Sequence, residues 1–221
     1  MSAMHADALL LLRGLIVHRA GREVLALDEL RFARGAVMAL VGDNGAGKTT
    51  LLKVLAGLLR ATQGEFVCDG NTMNAARARR YCRGRYVYLH QSPYMFDCSV
   101  ADNVAYGLRF RADRRASTVA DALAWADLSA LAPRPARQLS LGEQHRVALT
   151  RARVLAPPLL LADEVTANMD AENRARTHAL FADLRTAGST VVVATHELTS
   201  IAASCDAILR LANGRLATTA S

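Results

Sequence analysis

Residues Gly42 to Thr50 read GDNGAGKTT, a glycine-rich stretch ending in Lys-Thr whose residue types suit the holding of phosphates. Glycines at 42, 45 and 47 let successive backbone N–H groups curl inward on an anion, where a Cβ would block the approach or forbid the dihedrals. Asp43, Asn44 and Ala46 complete the loop. Lys48 places a point charge beside the β and γ phosphates of a nucleotide. Thr49 offers a hydroxyl to Mg²⁺, and the helix that begins here, with Thr50 in its first turn, points its positive dipole end at the same anion.

A second chemistry-bearing set follows an apolar run. Leu159, Leu160, Leu161 and Ala162 lead into Asp163-Glu164, so a strand delivers two carboxylates at its C-terminal end, where open α/β sheets bind ligands. Asp163 is expected to hold Mg²⁺ through water. Glu164, one residue on, is placed to polarise an attacking water, assistance worth about 10² to 10⁴ in rate. Between the two sets lies LSLGEQHR, Leu139 to Arg146. Ser140 with Glu143 three residues later is a capping box. That segment reads either as a well-capped helix start or as a second anion-binding terminus, with the Ser140 hydroxyl and Gly142 amide exposed.

These groups need strands and helices to hold them. Val37 to Val41 is a short apolar run before the loop, and Leu51, Leu52, Val54, Leu55 and Leu58 follow at helical spacing, which predicts strand, loop, then a helix from Lys48 to about Leu59. Leu9 to Val17 and Val24 to Phe32, around Ala20-Gly21, predict a strand pair. Short strands are also predicted at Gly64 to Gly70, Tyr86 to Leu89, Leu159 to Ala162 and Val191 to Ala194. Helical periods occupy about Ser99 to Leu155 and Ala171 to Arg185. Strands alternating with helices imply an α/β fold with a mostly parallel sheet. The chain reads as one unit over 1–221: a core with an antiparallel β part over about 1–90 and 156–221, and a helical insertion over about 91–155.

Taken in order, these motifs resemble the ATP-binding subunit of an ATP-binding cassette (ABC) transporter, over essentially the whole chain. The family's phosphate loop is followed by a glutamine, here Gln91 in YLHQSPYMF, and by a signature of the form LSGGQ, here LSLGE. Then come an acidic pair, here Asp163-Glu164, a D-loop, here Ala167 to Asp170, and a switch histidine, here His196 in VVVATHE. The resemblance implies a P-loop NTPase that binds ATP with Mg²⁺ between two copies of itself. Gln91 would sense Mg²⁺ and the γ-phosphate, and His196 would contact the γ-phosphate and the catalytic water. Ser140 and Gly142, with Glu143 beside them, would donate to the nucleotide held by the other copy. Asp170, which also suits a helix N-cap, would lie in the loop crossing that interface.

The implied setting is the inner face of a cell membrane, with a membrane permease as partner, an extracytoplasmic binding protein serving it, and a small solute as cargo. The segment HQSPYMFDCSVADNVAYGLR is similar to tungstate and molybdate importers. An ABC-type ATPase acting mechanically on a cell-wall or division complex, without moving solute, would carry much the same cassette. Departures are Leu141 in place of the signature's first glycine, Val165 after the acidic pair, and His145 where a glutamine is usual. The aromatic that stacks on adenine falls near His18 or Arg19, neither a Tyr nor a Phe, although either can stack.

Composition narrows the classes. No apolar run approaches the roughly 18 residues that cross a bilayer, and the first residues lack a basic stretch before their apolar run, so no secretory signal is expected. Cys68, Cys82, Cys98 and Cys205 show neither zinc nor disulfide spacing. The net charge of +7 comes from 25 arginines and two lysines. They are dispersed, with clusters at Arg77 to Arg85 and Arg109 to Arg115 that lack interleaved aromatics, so nucleic acid is not an expected partner. Besides His196, the histidines at 5, 18, 90, 145 and 178 have no metal-ligand pairing and require no function.

Overall fold

The computed structural model describes residues 8–110, 118–166, 169–196 and 201–217. Buried apolar residues set the first layer. In β1 (Ala8–Arg19) and β2 (Arg22–Ala33) apolar residues such as Leu10, Leu12, Leu15, Leu25, Leu30 and Phe32 are buried. The two strands pair antiparallel around Ala20-Gly21. β4 (Gln63–Cys68) adds to β1, and β5 (Asn71–Asn74) to β4, giving an antiparallel sheet of order β2-β1-β4-β5.

The second sheet is parallel at its centre. β3 (Val37–Val41), β7 (Leu159–Asp163) and β8 (Thr190–Thr195) are buried along their whole length, as expected of parallel strands covered on both faces. With β6 (Val87–Leu89) and β9 (Ala207–Ala212) they form the parallel body of a sheet of order β10-β9-β3-β8-β7-β6, where β10 (Arg215–Leu216) runs antiparallel to β9. One face packs with α1 (Lys48–Leu55) and the antiparallel sheet in a shared core containing Leu40, Leu51, Leu52, Leu161 and Phe66. The other face meets α5 (Leu141–Leu155) and α6 (Ala171–Thr186) through Leu149, Ala152, Leu180 and Phe181.

A separate apolar cluster lies within residues 95–154. Val100 and Val104 of α3 (Val100–Ala105), Ala122 and Leu123 of α4 (Val119–Trp125), and Val147 and Val154 of α5 meet there. The α/β architecture with a mostly parallel sheet agrees with expectation. Three differences are physical. The helix after the phosphate loop ends at Leu55, not near Leu59, because a left-handed Gly57 follows and brings the chain against the Arg79 carbonyl. The Arg-rich segment after β5 is helical, α2 (Ala75–Cys82), capped by the Asn74 side chain. β5, β9 and β10 are strands that short, mixed sequences did not announce. Residues 111–117, with Arg111, Arg114 and Arg115 of the second arginine cluster, lie outside the described residues. Among the described residues no helix is long and apolar enough to cross a membrane.

Candidate active site

The loop after β3 is shaped by two different uses of glycine. Gly47, the N-cap of α1, has φ 108°, a region costly to any residue with a Cβ. A Cβ on Gly42 would stand 2.2 Å from the Leu211 carbonyl oxygen of β9. Gly42 is therefore required by packing against the neighbouring strand, a reason different from the anion approach expected of it. No side chain caps α1, and its first turn carries no acidic residue, so its leading N–H groups remain open to an anion.

Lys48 is 5% exposed. Its ammonium has three donors; Nζ donates to the Gly42 carbonyl at 2.6 Å and to the Asp43 carbonyl at 3.1 Å, and lies 3.6 Å from Glu164 Oε1. His196, at the end of β8, places Nδ1 3.5 Å from Glu164 Oε2. Glu164 thus sits between a buried cation and an imidazole. Its φ is +50°, a left-handed conformation costing roughly 1–2 kcal/mol outside glycine. The strained turn is pinned by its N–H, which donates to the Ala194 carbonyl at 2.9 Å. Strain kept at a carboxylate beside a phosphate loop points to function.

Asp163 is buried, and its two oxygens are both engaged. Thr49 Oγ1 donates to Oδ1 at 3.1 Å, and the Tyr88 hydroxyl of β6 donates to Oδ2 at 2.6 Å. Burial, and then this bond, push the Tyr88 phenol well above its ordinary value, so Tyr88 remains a donor. A threonine hydroxyl facing a carboxylate is an all-oxygen donor pair suited to a hard divalent cation that keeps several waters. Asn44, Gly45, Gly47, Lys48, Thr49, Thr50 and Glu164 line a cavity of about 190 Å³. A larger cavity of about 530 Å³ beside His178 and Arg185 is lined by no carboxylate.

Ser140, Gly142 and Glu143 form their own arrangement. Ser140 caps α5: its hydroxyl and backbone N–H both donate to Glu143 Oε2 at 2.8 Å, and the box is complete in both directions. The hydrogen bonds of Ser140, first from its side chain and then from its backbone, lower the Glu143 pKa. Leu141 is 64% exposed. A Cβ on Gly142 would approach Asn173 Nδ2 at 3.2 Å, and that nitrogen donates to Asp170 Oδ2 at 2.8 Å. Asp170 is the N-cap of α6; Ala167 and Asn168 of the D-loop lie outside the described residues. Among the described residues no hydrogen bond or ion pair joins 140–143 to 42–50.

Arg19 is exposed at the end of the β1–β2 hairpin, outside the bonded set, and His18 is bound through its N–H to Thr62 Oγ1. Gln91 is exposed on the loop after β6. Three participants were not anticipated. Tyr88 binds Asp163. His145, which was given no role, places Nε2 3.1 Å from the Gln91 carbonyl oxygen. The Asn213-Gly214 turn closes on the phosphate loop: Gly214 N–H donates to the Ala46 carbonyl at 3.0 Å, and its own carbonyl accepts from Ala26 N–H at 2.9 Å. All three contacts close over long separations in the chain, and only His145 is marked in the sequence, as a residue standing where a glutamine is usual.

Comparison with known proteins gives the family. Residues 26–167 match the family described as ABC transporter. The chain is 37% identical over 209 residues to the hemin import ATP-binding protein HmuV of Streptomyces coelicolor, covering 92% of this chain and 75% of that protein. It is 35% identical over 209 residues to the Fe(3+) ions import ATP-binding protein FbpC of Pasteurella multocida, covering 90% of this chain but 58% of the relative's length. Among solved structures, the dimeric ATP-binding cassette MJ0796 in a post-hydrolysis state with ADP and phosphate superimposes with a TM-score of 0.80 at 26% identity, covering 94% of this chain and 96% of that one. With the family match over most of its length and with the GDNGAGKTT loop, a strand-end carboxylate pair and His196 at one end of a parallel sheet, the chain belongs to the ABC transporter family as an ATP-binding ATPase cassette.

Proposed function

We propose that this cassette powers solute import through a membrane permease and works as a sandwich of two copies. The observation that carries the reading is the division of the site: Lys48 and His196 flank Glu164 and Thr49 donates to Asp163 within one chain, while Ser140 and Gly142 make their contacts elsewhere. A second copy would supply its signature to the open phosphate loop of the first. The dimeric ADP- and phosphate-bound neighbour supports this arrangement.

In this mechanism the loop amides from Gly42 to Gly47 and the Lys48 ammonium hold the β and γ phosphates of ATP. Thr49 and Asp163, with Gln91, would hold Mg²⁺, which supplies charge neutralisation on the phosphates. Tyr88 fixes the Asp163 carboxylate. Glu164 takes a hydrogen bond from the attacking water, and His196, 3.5 Å from it, orients that carboxylate and donates to the γ-phosphate. Ser140 and Gly142 of the other copy close on the γ-phosphate, with the exposed Leu141 between them facing the interface. Arg19 lies on the hairpin that would receive the adenine. Because the γ-phosphate bridges both copies, its hydrolysis removes the preference for the closed dimer.

The permease would hold the cassette at the cytoplasmic face of the membrane, with a binding protein on the far side. Names of relatives, hemin and Fe(3+) import, support import as the direction. The 90–109 segment adds tungstate or molybdate as candidate cargo. E164Q tests the core of the proposal: ATP hydrolysis falls by about 10² to 10⁴ while ATP binding persists and a dimer accumulates, as read by light scattering. An E164Q protein that stays monomeric with saturating ATP would sink the sandwich.

A further inference from the structure

Helix α5 holds more than its cap. Two of its side chains reach the irregular loop that follows β6 and take hold of backbone carbonyls there. His145 Nε2 lies 3.1 Å from the Gln91 oxygen, and Arg151 donates to the Tyr94 oxygen at 2.6 Å. The Arg151 guanidinium also lies over the Phe96 ring, 5.4 Å from its centroid. Residues 145 and 151 are six apart, about 9 Å along a helix, so the loop is gripped at two separated points on one rigid element.

The loop is stiffened from within as well. His90 Nδ1 accepts from the Ser92 N–H at 3.0 Å, closing a tight turn around Gln91. A carbonyl acceptor requires a proton on His145 Nε2, and the neutral Nε2–H tautomer and the imidazolium both provide it. The Gln91 backbone is therefore tied to the helix whose N-terminus is Ser140, in addition to its covalent tie to β6.

We propose that His145 is a positioning residue: by holding the Gln91 carbonyl it fixes the backbone that carries the Gln91 amide, and so sets where that amide can be presented to the site. This rests on the assignment of Gln91 to the site. A histidine that merely stabilised the helix surface would act independently of the Gln91 side chain, and that difference is measurable.

The test compares Q91A, H145A, H145Q and the double variant Q91A/H145A in the full chain, by steady-state ATPase kinetics, ATP binding and amide exchange of residues 91–95 without nucleotide. H145A is expected to lower kcat about tenfold, the scale of one lost hydrogen bond to a reacting site, with the ATP Kd unchanged and exchange at 91–95 faster. H145Q, whose amide also donates, restores both. Q91A/H145A is no slower than Q91A. H145N, which keeps an amide but loses its reach, replaces H145A if that variant does not fold. Should Q91A keep the parent kcat, Gln91 leaves the site and the proposal falls with it. Should Q91A be slow while the losses multiply in the double variant, or H145Q be as slow as H145A, Gln91 stays and the role of His145 is wrong.

Discussion

Two helix starts face the same physical problem, four leading N–H groups without intrahelical partners, and resolve it in opposite ways. At α5 the Ser140 hydroxyl and the Glu143 carboxylate satisfy each other's backbone, and an acidic side chain lies in the first turn. At α1 the N-cap is Gly47, no side chain caps the turn, and none of its residues is acidic. A glycine N-cap gives up only a few tenths of a kcal/mol relative to serine, so leaving α1 open costs little. On the proposed function, the α1 start is a terminus kept for a phosphate. The α5 start is already satisfied within its own chain, by a group of the same charge as phosphate, and would have to share Ser140 with any anion it meets.

Replacing Gly47 breaks the contrast most severely. In G47A the new Cβ occupies a backbone with φ 108° and meets Leu25 Cδ2 at 2.7 Å, and folding stability should fall by about 3 kcal/mol in a urea titration. K48A leaves the helix start in place but removes its cation, so ATP should bind about 10²-fold more weakly, measured by fluorescence with a labelled nucleotide. A K48A protein that binds ATP as tightly as the parent would mean the open amides suffice. At the other terminus S140A removes the cap and should cost about 1 kcal/mol of stability. If S140A costs nothing, α5 does not depend on its box.

The smallest effect is a pH dependence. Because hydrogen bonds from Ser140 lower the Glu143 pKa in the folded chain, the carboxylate stabilises the fold above its unfolded value of about 4.3. That contribution fades as pH falls through the lower folded value. The stability gap between the parent and E143Q should therefore narrow from pH 6 to pH 3, by a small amount since the group is solvent-screened. A gap that stays constant would show that the charge contributes nothing to the cap.

What the sequence disclosed was local. GDNGAGKTT, the apolar run into Asp163-Glu164, and Ser140 with Glu143 each announce themselves within ten residues, because their geometry is made by one strand end or one helix start. The parallel strands were readable for the same reason: β7 and β8 are apolar throughout. Contacts that close over long separations left no such trace. Tyr88 meets Asp163 across neighbouring strands, His145 meets Gln91 from another helix, and Gly42 is a glycine because Leu211 passes behind it. Helix α2 was hidden by its own composition, since AARARRYC buries only Ala78 and Cys82 and shows no apolar stripe.

The turn at Asn213-Gly214 bears on how such a molecule is made. Its glycine donates to Ala46, accepts from Ala26, and leaves no room for a side chain, whose Cβ would lie 2.5 Å from the Val24 carbonyl. The phosphate loop is synthesised early, yet one of its restraints comes from a residue 168 positions later, the difference between 214 and 46. While the ribosome is still translating, the loop can exist only without that clamp, and it acquires its final shape after β9 and β10 have been added. Nascent chains stalled before this turn are thus expected to fold much of their antiparallel sheet and still hold nucleotide poorly.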